Sequence, residues 1–191
     1  NGSEKDAGRR LSQPKLIGPD SQLSSTFDML RDTKLMALVQ GNQHFSCDLY
    51  RQLASQQEGN LAFSPHSIST ALMMTLAGAG PESKTKEQMR QVLRQTLFGE
   101  QLHESAGKLR VRLQRSQNSN HTQLLSANRL WCQQGTSFKA SFLENMQRNY
   151  GAEPAQLDFV RQPQQARQII NAWVAWKTGD AVRQLLGPEA I

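Results

Sequence analysis

Residues 78–85 read GAGPESKT and come close to the phosphate-cradling pattern G-x-x-x-x-G-K-[ST]. Lys84 and Thr85 stand where a phosphate-binding lysine and a magnesium-binding hydroxyl would be. Ser83 replaces the second glycine, whose missing side chain lets backbone amides close on phosphate. Such a loop also belongs after a strand, whereas a helical pattern precedes this one. The stretch therefore reads as a turn between two helices. Nucleotide binding through Lys84 is the competing chemistry, and loss of ATP binding in Lys84→Ala would reveal it.

The four histidines, at 44, 66, 103 and 121, are scattered. His103-Glu104 has no second His four residues on, so the zinc-protease pattern fails, and no G-x-S-x-G elbow exists. The chain is expected to be no enzyme and to carry no metal or other cofactor. Cys47 and Cys132 make no C-x-x-C pair. Each falls within an apolar pattern and reads as a buried thiol, with a bridge between them the alternative.

Cations carry a clearer signal. At roughly 100° per residue, Lys108, Arg112 and Arg115 share one stripe of a helix predicted over 100–116. Leu102, Ala106, Leu109 and Leu113 share another, so the basic row is expected to face outward. Three cations in a row suit a heparin-like glycosaminoglycan or another sulfated or phosphorylated polymer. A solvated helix face with no ligand fits the same spacing. Asn120-His121-Thr122 and Asn1-Gly2-Ser3 are sequons, which act as N-glycosylation sites in a secreted protein. The net charge of +6 and pI near 9.7 favour an acidic partner. Neither nucleic acid nor a membrane is expected as one, and no apolar run reaches the length of a membrane span.

The elements that must position these residues follow from periodicity. Residues 1–22 are rich in Gly, Ser, Pro and charge and read as a mobile tail. FDMLRDTKLMALV adds a short helix, and the whole tail is assigned to 1–38 with a folded domain over 39–191. Phe45, Leu49 and Leu53 mark an amphipathic helix, followed by LAF as a short buried strand. SPHSISTALMMTLAGAG is a helix with Ser64 as N-cap and Pro65 as its first residue. TKEQMRQVLRQ places Thr85 and Gln88 at capping-box spacing, with Met89, Val92 and Leu93 inward. QLLSANRLWCQQG is apolar on both faces, as a strand in mid-sheet would be. Phe138, Phe142, Met146 and Tyr150 recur every four residues in a helix that Gly151 stops. AEPAQLDF reads as an edge strand, and the last helix starts near Pro163 with Ala166, Ile169, Ile170 and Trp173 inward. Helices outnumber strands without strict alternation, which indicates α+β. The chain begins at Asn1 and its last residues, LLGPEAI, open a new apolar stretch, so it reads as a piece of a longer protein.

Taken in series, NLAFSPHSISTALMMTLAGAG, ESKTKEQMRQVL, LLSANRLWCQQG, FLENMQRNYGAEPAQLDF and QIINAWVAWKT resemble the serpin family from about residue 40 to 191. The resemblance implies the N-terminal half of that fold: helices A to F, strands of the central sheet A and one strand of sheet B. The C-terminal half and the reactive loop lie outside this sequence. It further implies a parent protein that is a suicide-substrate inhibitor, expected outside the cell, where the Asn120 sequon would be open to glycosylation. A serine protease cleaves an exposed loop, which then inserts into a central sheet that parts to admit it. By the family pattern Ser64, Ser67 and Asn171 occupy the shutter beneath that sheet, where small polar groups exchange hydrogen bonds at modest net cost. Their blander roles are capping and polar satisfaction. Where the family often has Asn-Gly after INxWVxxKT, this chain has Gly179-Asp180, which leaves the shape of that turn open. A non-inhibitory member, acting as carrier, chaperone or storage protein, is the alternative.

Overall fold

The computed structural model describes residues 31–56, 58–116 and 124–191. All contacts below lie within one compact unit, Thr33–Ile191. Among the described residues the elements run α1 (Thr33–Ala54), α2 (Pro65–Gly78), α3 (Lys84–Val92), α4 (Gly99–Ser116), β1 (Trp131–Gln133), α5 (Ala140–Asn145), β2 (Ala155–Leu157) and α6 (Pro163–Lys177). A π turn, Met146–Tyr150, continues α5 without a break.

The first helix starts inside the stretch assigned to the tail. Leu35 and Leu38 are fully buried, and with Gly41 and Phe45 they form a stripe at helical spacing. Burial therefore extends the helix towards the N-terminus. The expected stripe fades the other way: Leu49 and Leu53 are only half-buried.

α3 also begins earlier than the Thr85/Gln88 spacing suggested. Ser83 is its N-cap, accepting a 3.2 Å hydrogen bond from Lys86 N while its hydroxyl donates to Gly80 O. The serine that spoiled the phosphate-loop pattern thus ends a turn and starts a helix. Leu93, the residue that caps the end of α3, is fully buried but Val92 is 61% exposed, against the expectation that both face inward.

The core is layered around α4. It packs against α1 and against the π turn, while α2 touches α1, α3, α4 and α5. Gly107 lets α4 come close: a Cβ there would meet Asn149 backbone and side-chain atoms at 3.0–3.2 Å. The Phe142–Met146–Tyr150 spacing assumed a regular helix. The π turn instead widens the last turn, so that Ala152 N reaches back to Met146 O and Asn149 joins Met146 and Tyr150 in the core. Gly151 ends the turn at φ +61, a left-handed conformation that glycine adopts without steric penalty.

β1 and β2 pair in parallel, Trp131 opposite Ala155 and Gln133 opposite Leu157. The expected central strand is shorter than its apolar pattern. Leu124 and Leu125 are exposed, β1 is half-buried throughout, and LAF makes no strand ladder among the described residues. A strand needs a hydrogen-bonded neighbour, and the only ladder among the described residues is the one with β2. Two glutamines brace it. Gln133 donates to Asp158 and accepts from Phe159 N, while Gln156 accepts from Gly135 N and donates to Thr136 O. α6 buries Ala166, Ile170 and Val174, whereas Ile169 is 40% exposed. Its end answers the question left by Gly179-Asp180. Both residues take left-handed conformations, and Asp180 N bonds Ala175 O while Gly179 N bonds Trp176 O, closing a Schellman cap.

Candidate functional site

The entry to α2 is built from small hydroxyls. Ser64 is extended at φ −110, and its Oγ accepts from Ser67 N at 3.2 Å and donates to Ser67 Oγ at 3.1 Å. Pro65 at the first helical position has no N–H to satisfy. Ser64 is exposed and Ser67 half-buried, so this pair stands at a surface that a further layer could cover. The serine at the bottom is Ser69, fully buried, whose hydroxyl donates to His66 O at 3.0 Å. The family pattern did not assign it to the shutter, although it belongs to the same run of small hydroxyls set among apolar residues. His66 lies beside these serines, and burial lowers its pKa below 6.5.

Asn171 lies on α6 and bonds the segment that follows it. Its Oδ1 accepts from Leu185 N at 3.0 Å and Leu186 N at 2.9 Å, and its Nδ2 donates to Leu186 O at 3.0 Å. One amide thus fastens the segment that follows α6. The structure brings Ser64 and Ser67 together; among the described residues no hydrogen bond joins them to Asn171.

Trp131 of β1 meets Trp173 of α6 edge to face, centroids 5.7 Å apart. Arg129 covers both rings and donates to Glu153 O at 3.1 Å. This aromatic seam holds α6 on the strand pair, and Trp173, expected on the buried face, is half-buried.

The basic row of α4 is only partly outward. Lys108 and Arg115 are exposed, while Arg112 is half-buried. Arg112 sits at the margin of the stripe, next round the helix from fully buried Ser105, and its guanidinium Nη1 is buried. Leu109 and Leu113, expected inside, are half-buried. Arg110, which the spacing did not flag, turns to the opposite side and donates to Asn149 O at 3.2 Å and to Gln114 at 3.1 Å. Asn120 lies outside the described residues. Both cysteines are free: Cys47 is exposed rather than buried, and Cys132 is half-buried with its thiol pKa raised by desolvation.

A family model described as Serpin (serine protease inhibitor) matches residues 40–191. The chain belongs to the serpin family. This serpin chain is 36% identical over 162 residues to an uncharacterized serpin-like protein of Methanosarcina mazei, covering 81% of the chain and 36% of that protein. It is 34% identical to Serpin B6 of Macaca fascicularis, covering 81% of the chain and 40% of the relative. It is 33% identical to Antithrombin-III of Ovis aries, covering 83% and 35%. Emu ovalbumin superimposes with a TM-score of 0.68 at 24% identity, over 81% of this chain and 42% of that one, which shows the shared fold. The chain thus spans well under half the length of these relatives. Serpins are a family of protease inhibitors rather than enzymes, and the α+β reading as a partial serpin agrees with the shared fold.

Proposed function

We propose that the protein containing this chain is an irreversible suicide-substrate inhibitor of serine proteases that works by inserting its cleaved reactive loop into the central sheet. The family match over 40–191 carries this reading. The local geometry supports it: among the described residues β1 has a single ladder partner, and the Ser64–Ser67 pair shares hydrogen bonds within its own helix turn. A floor of short hydroxyls can change partners as strands part, because each such bond contributes only about 0.5–1.5 kcal/mol net. In this reading Ser64, Ser67 and Asn171 form the shutter, and Asn171 holds the start of the segment that leads out of α6. Lys108 and Arg115, with Arg112 at their edge, form a cationic track for a heparin-like glycosaminoglycan. The protein acts outside the cell, with Asn120 glycosylated.

The test is to mix the full-length protein with trypsin-like and chymotrypsin-like proteases and run the mixtures in boiling detergent. A complex that survives as one band is the expected result. Clean cleavage with no such band means a non-inhibitory member of the family.

A further inference from the structure

The sequence LAGAG, whose last residues begin the failed phosphate-loop pattern, shapes a groove. Residues 77–80 are Ala-Gly-Ala-Gly, and their small side chains leave a space of about 750 Å³ between the C-terminal end of α2, α3, and the first turns of α4 and α5. That volume lies in the range of small-molecule sites, roughly 300–1,000 Å³. The stacked pair Phe138 and Phe142, centroids 5.4 Å apart, lines it. Phe142 closes on the space beside Gly78, where a Cβ would lie 3.4 Å from the ring.

The polar lining is unbalanced. Lys86, Arg90, Lys139 and Arg148 face two carboxylates, Glu100 and Glu144. Arg148 and Glu100 satisfy each other at 2.8 Å. Among the described residues Lys86 and Lys139 make no ion pair. Arg90 is the most telling. Its Nη1 donates to Glu87 at 2.7 Å and its guanidinium lies 3.8 Å from the Phe98 ring centroid, which fixes the side chain. Its Nε is nonetheless buried without a hydrogen-bond partner. A buried donor on a cation that lacks an acceptor costs about 1–3 kcal/mol or more, and the side chain that carries it lines the groove.

We propose that this groove binds an organic anion, a carboxylate or sulfonate carried on an aromatic or aliphatic body. The head group meets Arg90 and Lys86, and the body lies along Phe138 and Phe142. The site is separate from the shutter: Ser64 starts α2 and the groove lies at its far end, about 20 Å away at 1.5 Å of rise per residue. It does not depend on the inhibitor reading.

The test titrates the full-length protein with the fluorescent dye anilinonaphthalene sulfonate and, in parallel, with uncharged phenylnaphthylamine. Saturable sulfonate binding is expected, weakened about tenfold by Arg90→Gln or Lys86→Ala, since a charge-assisted hydrogen bond is lost in each. The uncharged dye should lose little affinity in those two variants. Gly78→Leu, at a helical position where a side chain would project into the space, should block both dyes. Lys139→Ala, at an exposed lysine, keeps the charge test open if Arg90→Gln does not fold, and should weaken the sulfonate alone. Sulfonate binding that is unsaturable, or equal in wild type and all four variants, overturns the proposal.

Discussion

The buried His103–Tyr150 pair gives the fold a definite response to acid. Nδ1 of His103 lies 2.6 Å from the Tyr150 hydroxyl, and the rings meet edge on with centroids 5.8 Å apart. The pair ties α4 to the π turn. His103 is 8% exposed, and burial pulls its pKa from 6.5 to about 4, with the positive Lys86 acting in the same direction. Burial likewise raises the pKa of Tyr150, so its hydroxyl stays protonated. The folded pKa of the histidine lies below the unfolded one, so the folded chain holds the ring neutral. Above pH 6.5 both states are neutral and the contribution to stability is complete. As pH falls from there, the unfolded chain takes up a proton that the folded chain refuses. Stability then drops by about 1.4 kcal/mol per pH unit until about pH 4, a total of about 3 kcal/mol. His103→Gln removes this titration. Urea unfolding of the full-length protein between pH 4 and 8 should therefore show a slope shallower by about one proton in the variant. Equal slopes, or a ring titration by NMR near 6.5, would refute the reasoning.

Four further outcomes follow from the geometry. Asn171→Ala removes three hydrogen bonds to Leu185 and Leu186 and should cost about 1–3 kcal/mol, with amide exchange at those two residues rising first; unchanged exchange speaks against the fastening role. Gly151→Ala forces a side chain onto φ +61 with its Cβ 3.1 Å from Arg110 Nη1, and should cost about 1–2 kcal/mol in unfolding by denaturant, whereas a neutral result would mean that the turn relaxes. Replacing Lys108, Arg112 and Arg115 together by Ala should weaken binding to heparin resin on the order of tenfold or more at low salt, at roughly 0.5–1 kcal/mol per cation; elution at the wild-type salt concentration rejects the track. The 191-residue chain by itself exposes Val92, Phe98, Val160 and Trp176 and, among the described residues, leaves the outer edges of its strand pair open, so sedimentation should show association and heating no sharp transition; a monomeric, cooperative melt is the contrary result.

Local signals were legible where local physics decides the outcome. Ser64 before Pro65 read correctly as a cap, because its hydroxyl needs only the amide three residues on. The fold class and family followed from five motifs in order. What stayed hidden depends on neighbours distant in sequence. The π turn is set by packing of Asn149 against Gly107 on α4, which a spacing of four cannot reveal. The half-burial of Arg112 and the inward turn of Arg110 depend on which side of α4 meets α1 and the π turn. The central strand looked longer than β1 because its apolar pattern registers faces to be covered, whereas a ladder records only partners present. The arginine with an unfilled donor, Arg90, carried no signal at all, since its surroundings, the Phe98 ring 3.8 Å from its guanidinium among them, are set by tertiary packing.

The proposal of a sheet built to part and take in a strand meets its most direct test in unfolding of the full-length protein before and after a single cut in its exposed loop. Insertion adds a row of ladder hydrogen bonds, each contributing about 0.5–1.5 kcal/mol, and the cut form should then resist far more urea than the intact one. A cut form that unfolds at the same urea concentration, or a lower one, would contradict the account.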